Sequence, residues 1–188
     1  GMEGTSLRYR GYDAIELTKT HTYEDVASLI IDDNLDGKLF KETFTDHYEN
    51  LINDKDLIKI IENLKVRQHP MDVMRTAISY IGQADESNKL EAASKVTAIA
   101  CLVIASYNEE PSGQLDADYT VASSLLPNTA SNQQHEALDD MLILYAEHGF
   151  NASTFAARVT ASTRSDLTSA IVSGVGTLKG ELHGGANE

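Results

Sequence analysis

The sequence predicts an all-α fold, and three observations lead to this prediction. Apolar residues recur at intervals of three and four along most of the chain, which places them on one face of successive helices. Residues that favour helix ends stand at the boundaries of these runs. Patterns typical of strands are confined to a short N-terminal stretch around residues 7–12.

The first half of the chain contains four helical patterns. Thr22 is an N-cap candidate followed by the acidic residues Glu24 and Asp25. Pro70 suits the first turn of a helix that ends at Gly82, and a polar connection follows at 83–89. Between these helices, two runs have helical spacing: Phe40, Phe44, Tyr48 and Leu51, then Leu57, Ile60, Ile61 and Leu64.

The second half begins with residues 90–107, which are alanine-rich and apolar around most of the helix circumference, as expected of a buried helix. A loop at 108–114 and a short helix at 121–125 come next. Residues 133–148 form an amphipathic pattern that Gly149 ends. Its expected inward side chains are Ala137, Leu138, Met141, Leu142 and Tyr145. Two last helices are predicted to begin at Asn151 or Ser153, and at Ser165 or Asp166.

The composition narrows the classes of function. The chain has 188 residues, 41% of them apolar, and suits one domain with a real core. Its formal net charge of −14 disfavours nucleic-acid binding, because few cations are available for phosphates. We expect no membrane span and no signal segment, and the single cysteine, Cys101, favours a reducing compartment such as the cytoplasm. Gly1 before Met2 is interpreted as a tag remnant.

Two motifs are interpreted as structural. His135 and Glu136 begin a zinc-protease-like pattern, but Asp139 replaces the second histidine, so no metal site is predicted. Gly174 and Gly176 favour close helix packing, with the approach of a ligand backbone or pantetheine arm as the alternative. Tyr145, Met71, Met74 and Cys101 are interpreted as core residues, and His47 as solvated.

Two histidines stand beside glycines. His148 precedes Gly149 at the expected end of a long helix, where interaction with the helix dipole explains it without any function. His183 is followed by Gly184 and Gly185, so a ligand could lie against bare backbone beside the imidazole. If residues 184–188 open a helix, its N-terminus favours a neutral imidazole that donates a hydrogen bond to a developing oxyanion.

Together, four stretches resemble citrate synthases, in the right order and over essentially the whole chain. They are LRYRGYDAIEL at 7–17, HPMDVMRTAIS at 69–79, LILYAEHGFNASTFAARV at 142–159 and GTLKGELHGGANE at 176–188. The residues of HPMDVMRT and YAEHGFNASTF are especially similar to those of bacterial citrate and 2-methylcitrate synthases. Two local departures are NLDGK at 34–38, where a Leu-Pro pair is usual, and Glu181-Leu182, where Gly-Pro is common.

The resemblance implies an all-α homodimer with a large and a small domain. Such enzymes condense acetyl-CoA with oxaloacetate and then hydrolyse the citryl-CoA intermediate, with acyl-CoA as substrate and no further cofactor. His183 matches the histidine that hydrogen-bonds the thioester carbonyl and stabilises the enol, and His148 matches an oxaloacetate-binding histidine. The resemblance also implies, with weaker support, that five residues lie near CoA, namely Ser169, Ala170, Ile171, Val172 and Ser173.

The resemblance also implies that residues 1–188 are the N-terminal half of the large domain, without the small domain. In the family, the catalytic aspartate, the histidine that polarises oxaloacetate and most of the arginine clamps lie downstream. The chain alone is therefore expected to be inactive. Three alternatives stay open: a 2-methylcitrate synthase that uses propionyl-CoA, a catalytically dead truncated paralogue acting as a dimerising helical scaffold, and a split enzyme completed by a second polypeptide.

Overall fold

The computed structural model describes residues 2–3, 6–82, 87–108, 115 and 119–187. These residues form ten α-helices and a small antiparallel sheet, which confirms the all-α prediction. The helices are α1 (Ala14–Thr18), α2 (Tyr23–Asp32), α3 (Lys38–Ile52), α4 (Lys55–Lys65), α5 (Pro70–Tyr80), α6 (Lys89–Ala105), α7 (Val121–Leu125), α8 (Asn132–Tyr145), α9 (Ala152–Ser162) and α10 (Leu167–Leu178), and a 3₁₀ turn follows at Gly184–Asn187. Within the described ranges, every helix is too short or too polar to span a bilayer.

The sheet is N-terminal, as predicted, and consists of β1 (Met2–Glu3), β2 (Ser6–Tyr9) and β3 (Tyr12–Asp13). Arg10 and Gly11 both have positive φ, 46° and 92°, which suits the two-residue turn between β2 and β3. The buried Tyr9 hydroxyl donates to the carbonyl oxygens of Ile143 at 2.8 Å and Leu144 at 3.1 Å. The hairpin is therefore attached to the last turn of α8.

Side-chain caps begin the helices where the sequence predicts them. Thr22 and Asp25 form a reciprocal capping box at α2. His69 accepts the backbone N–H two residues on and so caps α5, whose first residue is a proline. At the two undecided starts, Asn151 caps α9 and Asp166 caps α10. These caps fix the direction in which each loop enters its helix.

The main core lies around α3 and α6. The four residues of the α3 run that the sequence assigned to one face are all buried. The ring of Tyr48 stacks at a tilt on Phe44 and on Tyr119, with centroid distances of 5.8 and 5.6 Å. Cys101 on α6 is buried as predicted, and burial raises the pKa of its thiol to about 12.

Gly37, the N-cap residue of α3, lies against the start of α2. Its N–H donates to Asp25 Oδ1 at 2.7 Å. A Cβ on Gly37 would overlap the backbone of Glu24 and Asp25, so the joint between α2 and α3 has no room for a side chain. In sequence, Gly37 belongs to a stretch that departs from the family pattern, and in the structure this position leaves no space for a side chain.

The prediction for α8 was partly wrong. The helix ends at Tyr145 rather than at residue 148, and its buried side chain is Ile143. Met141 is 56% exposed and Tyr145 is 83% exposed, and Ala137 is exposed as well. Ile143 packs against the N-terminal hairpin, α1 and α2. Leu142, one of the predicted inward side chains, is partly buried against the main core.

His47 is also placed differently from its prediction as a solvated residue. Its side chain is only 20% exposed, and its Nε2 lies 3.8 Å from Glu91 Oε1. Burial lowers the pKa of His47, and the nearby charge of Lys95 lowers it further. Position 47 is one residue before the buried Tyr48 and three after the buried Phe44, so it borders the core face of α3.

Asp139 joins α8 to the first turn of α2. Its two carboxylate oxygens both accept the N–H of Tyr23 at 3.2 Å. Burial raises the pKa of Asp139 to about 6, and the neighbouring carboxylates of Glu24, Asp140 and Asp25 add to this effect. Ionised Asp139 therefore lowers the stability of the fold near neutral pH.

We expect Asp139→Asn to raise the free energy of unfolding at pH 7.5 by about 1–2 kcal/mol, after allowance for partial exposure. The pKa of Asp139 is higher in the folded state than its ordinary 3.8. The protonated carboxyl therefore makes its full contribution to stability below pH 3.8, and this contribution is lost as the pH rises through 6. The substitution should therefore flatten the stability profile between pH 4 and 6, as measured by urea unfolding. Glu136→Gln, at an exposed position of the same helix, is the control. A lower urea midpoint for Asp139→Asn at pH 7.5 would contradict this account.

Candidate functional site

The site is built on a helical hairpin made of α9 and α10. A Cβ on Gly174 would lie 3.5 Å from the Ser153 carbonyl oxygen and 3.7 Å from the Ala157 Cβ, so the two helices pack closely there. Gly176 faces the side chain of Arg75 on α5. Gly174 therefore lies in a helix contact, as the packing interpretation predicts, whereas Gly176 faces only a side chain.

His183 lies just after the end of α10. Its N–H donates to the Gly180 carbonyl oxygen at 2.8 Å, and the N–H of Gly185 donates to the same oxygen at 3.2 Å. The imidazole is half-buried, with Nε2 3.0 Å from the hydroxyl oxygen of Ser153 on α9. The expected helical start after His183 is present as the 3₁₀ turn Gly184–Asn187.

The glycines beside His183 lie close to the backbone at the end of α10. A Cβ on Gly184 would overlap the Leu178 carbonyl oxygen, and a Cβ on Gly185 would lie 3.2 Å from the Gly180 and Lys179 carbonyl oxygens. Both glycines let the chain fold back onto the end of α10. They hold His183 against the helix, and the approach of a ligand to the backbone beside the imidazole stays a prediction.

An ion-pair cluster fixes the end of α10 to α5. Asp72 bonds Lys179 Nζ at 2.6 Å through one oxygen and Arg75 Nη2 at 3.0 Å through the other. The hydrogen bond from Lys179 holds the pKa of Asp72 below its ordinary value. Sequence reasoning missed this cluster, although the spacing of Asp72 and Arg75 matches a helical ion pair.

A short chain of hydrogen bonds connects His183 to the start of α9. The Ser153 hydroxyl donates to Asn151 Oδ1 at 2.7 Å, and that oxygen also accepts the backbone N–H of Thr154 at 2.7 Å. We call His183, Ser153 and Asn151 the imidazole chain. From sequence, Asn151 and Ser153 were predicted only as helix caps, because nothing local shows that residue 183 folds back onto them.

His148 lies in the loop between α8 and α9. It is exposed, and it is followed by Gly149, which has a φ of 73°. Because α8 ends at Tyr145, His148 does not cap that helix, and the structural explanation from the sequence fails. Five residues of chain separate His148 from Ser153, a span of no more than about 18 Å. Both candidate histidines therefore lie near the N-terminal end of α9.

The five residues predicted to approach CoA lie within the first seven residues of α10, and His183 follows the other end of the helix. Ala170 is buried, and Ile171 and Val172 pack against the main core. Ser169 Oγ donates to the cap carboxylate at 2.7 Å. A cavity of about 250 Å³ is lined by Ser79, Gly82, Asp166, Thr168, Ser169 and Val172. The approach of CoA to these five residues stays a prediction.

The chain is similar in sequence to known proteins. A family model described as "Citrate synthase, C-terminal domain" matches residues 1–188. The chain is 36% identical to a 2-methylcitrate synthase of Shewanella oneidensis, with 100% of this chain and 54% of the relative covered. It is also 36% identical to a citrate/2-methylcitrate synthase of Bacillus subtilis, with 99% and 54% covered.

A solved structure is similar as well. Citrate synthase from Thermotoga maritima superposes with a TM-score of 0.78 at 30% identity, over 96% of this chain and 51% of that one. The chain spans about half the length of the relatives it matches. On the match of the whole chain to the family model, the chain belongs to the citrate synthase family.

Proposed function

We propose that the chain contributes to the condensation of an acyl-CoA with oxaloacetate, and that His183 donates a hydrogen bond to the thioester oxygen. The observation that carries this proposal is the placement of His183. Its imidazole is half-buried, tied to α9 through Nε2, and without a protein partner at Nδ1 among the described side chains. A methyl group beside a thioester is a weak carbon acid, so a donor to the developing enolate oxygen lowers the barrier.

His148 is proposed to bind oxaloacetate. Its exposed imidazole lies three residues before Asn151, the cap of α9. The backbone N–H groups at the start of that helix are suited to a negatively charged group. A carboxylate of oxaloacetate could therefore bind between the imidazole and the first turn of α9, next to the thioester site at His183.

The acyl group is proposed to be acetyl, with propionyl as the alternative. Relatives of both kinds are found at similar identity: one named for 2-methylcitrate and one named for both products. The two substrates differ by a methylene, which changes binding in a pocket by about 1–3 kcal/mol. Assays should therefore contain each acyl-CoA separately.

We further propose that residues 1–188 form half of the large domain and that the other half covers an apolar face. We infer that this face includes Tyr145, Phe150, Phe155 and Leu182, which are 83%, 94%, 69% and 99% exposed. In addition, none of the residues of α9 is buried. An apolar face of this kind is typical of an interaction surface. The same face favours the second candidate function, a dimerising helical scaffold.

The proposed function predicts that the 188-residue chain does not catalyse condensation. A chimera that continues after residue 188 with the unmatched half of the Bacillus subtilis relative should be active. The reason is that the continuation restores the base and the carboxylate clamps that the resemblance places downstream. Release of CoA from acetyl-CoA or propionyl-CoA, with oxaloacetate present, measures the activity.

Condensation by the purified chain alone would contradict the prediction. A folded chimera that shows no activity with either acyl-CoA would contradict the proposed enzymatic function. In that case, a stable dimer of the chain alone in sedimentation experiments would support the scaffold. The chimera with both histidines replaced by alanine controls for activity from the expression host.

A further inference from the structure

We propose that Asn151 is a positioning residue that determines which ring nitrogen of His183 carries the hydrogen. It acts through Ser153, as the far end of the imidazole chain. The importance of this for catalysis rests on the proposed function, whereas the effect on His183 itself does not.

The first step is the orientation of the Asn151 side chain. Its Oδ1 accepts the N–H of Thr154 at 2.7 Å. A backbone N–H can only donate, so turning the amide over would place Nδ2, also a donor, against it. The atom that faces Thr154 and Ser153 is therefore the amide oxygen, and this oxygen accepts hydrogen bonds only.

The second step is the hydroxyl of Ser153. Its oxygen lies 2.7 Å from Asn151 Oδ1 and 3.0 Å from His183 Nε2. A serine hydroxyl has one hydrogen. Because Oδ1 cannot donate, that hydrogen points to Asn151, and the serine oxygen can only accept from His183. In its neutral form, His183 therefore carries its hydrogen on Nε2, and Nδ1 has a lone pair.

The third step concerns a ligand at Nδ1. A thioester oxygen there needs a donor, so the neutral ring must carry its hydrogen on Nδ1. In this change of tautomer, Nε2 releases a proton to water and Nδ1 takes up a proton from water, so the net charge of the ring stays the same. The Ser153 hydroxyl then turns from Asn151 to Nε2. Asn151 opposes this change, because the Ser153–Asn151 hydrogen bond is lost, and a carbonyl oxygen bound at Nδ1 favours it.

The test is nitrogen NMR of the folded 188-residue chain with ¹⁵N-labelled histidine, at pH 8 and without ligand. This pH is above the ordinary histidine pKa of about 6.5. The signals that disappear in His183→Gln identify residue 183 among the six histidines. We expect the hydrogen of His183 on Nε2.

The decisive variant is Asn151→Gly, which removes Oδ1 while glycine is tolerated at a helix N-cap. The ratio of the two neutral forms of His183 should shift towards the form with its hydrogen on Nδ1 by roughly 2- to 12-fold. This factor corresponds to the free energy of one neutral hydrogen bond. Asn151→Asp retains the acceptor oxygen and should keep the hydrogen on Nε2. Circular dichroism checks that α9 is formed in each variant.

A double-mutant cycle shows whether Asn151 acts through Ser153. In a Ser153→Ala background, Asn151→Gly should leave the ratio unchanged. An unchanged ratio in the single Asn151→Gly variant, or an equal shift with and without Ser153, would overturn the proposal. The measurement needs no turnover, so an inactive chimera would count against the proposed function and not against this inference.

Discussion

Gly37→Ala is expected to destabilise the fold by about 3 kcal/mol, at the upper end of the usual cost of overpacking. The added Cβ would overlap the backbone of Glu24 and Asp25, and backbone cannot move aside as a side-chain tip can. Separating the two helices would also stretch the 2.7 Å hydrogen bond from Gly37 to Asp25 and disturb the capping box of α2. Urea unfolding followed by circular dichroism measures the change.

Gly174→Ala is the matched control. The new Cβ would be in ordinary contact, 3.5 Å from the Ser153 carbonyl oxygen. Within a helix, replacing glycine by alanine contributes up to about 1 kcal/mol of stability. The two substitutions add the same methyl group and should change stability in opposite directions. Equal unfolding midpoints for the two variants would show that α2 and α3 separate more easily than the structure indicates.

His183→Ala in the active chimera is expected to lower kcat by about 10²–10³-fold, the usual effect of removing one donor to a developing oxyanion. The KM for oxaloacetate should change little, because His183 is proposed to act on the thioester. His148→Ala should instead raise the KM for oxaloacetate. Steady-state kinetics with one substrate varied at a time separates the two effects.

His135→Ala, on the first turn of α8, is the control for the loss of a histidine. It should leave both constants unchanged, because His135 belongs to neither proposed subsite. A His183→Ala chimera with unchanged kcat would refute the donor role. A His148→Ala chimera in which only kcat falls would move that residue from substrate binding to the chemical step.

Most of the fold could be predicted from local sequence because the helices carry their own start signals. Thr22, His69 and Asp166 each cap a helix within three residues in the sequence, so the pattern and the structure agree there. The inward face of α8 could not be predicted in this way. Tyr145 and Ile143 are both apolar, and which of them is buried depends on distant segments that pack against the helix.

The site was predictable to a smaller extent. His148 and His183 could be named from resemblance, since the motifs around them are specific. The partners of His183 could not, because Ser153 is thirty residues away in sequence. The same holds for Asp72 and Lys179, which are 107 residues apart. Such contacts arise only when helices are placed in three dimensions, and a single sequence contains no signal for that step.

The hydrogen bonds of the Tyr9 hydroxyl have a consequence for synthesis of the chain. The hairpin that contains Tyr9 can attach to α8 only when Ile143, 134 residues later, has been made. At about 5–20 residues per second, the ribosome needs about 7–27 s for that stretch. During this interval Tyr9 and Leu17, which are buried in the finished fold, lack the cover of Ile143. The N-terminal hairpin is therefore translated before α8, and it reaches its contacts with Ile143 and Leu144 only after α8 has been made.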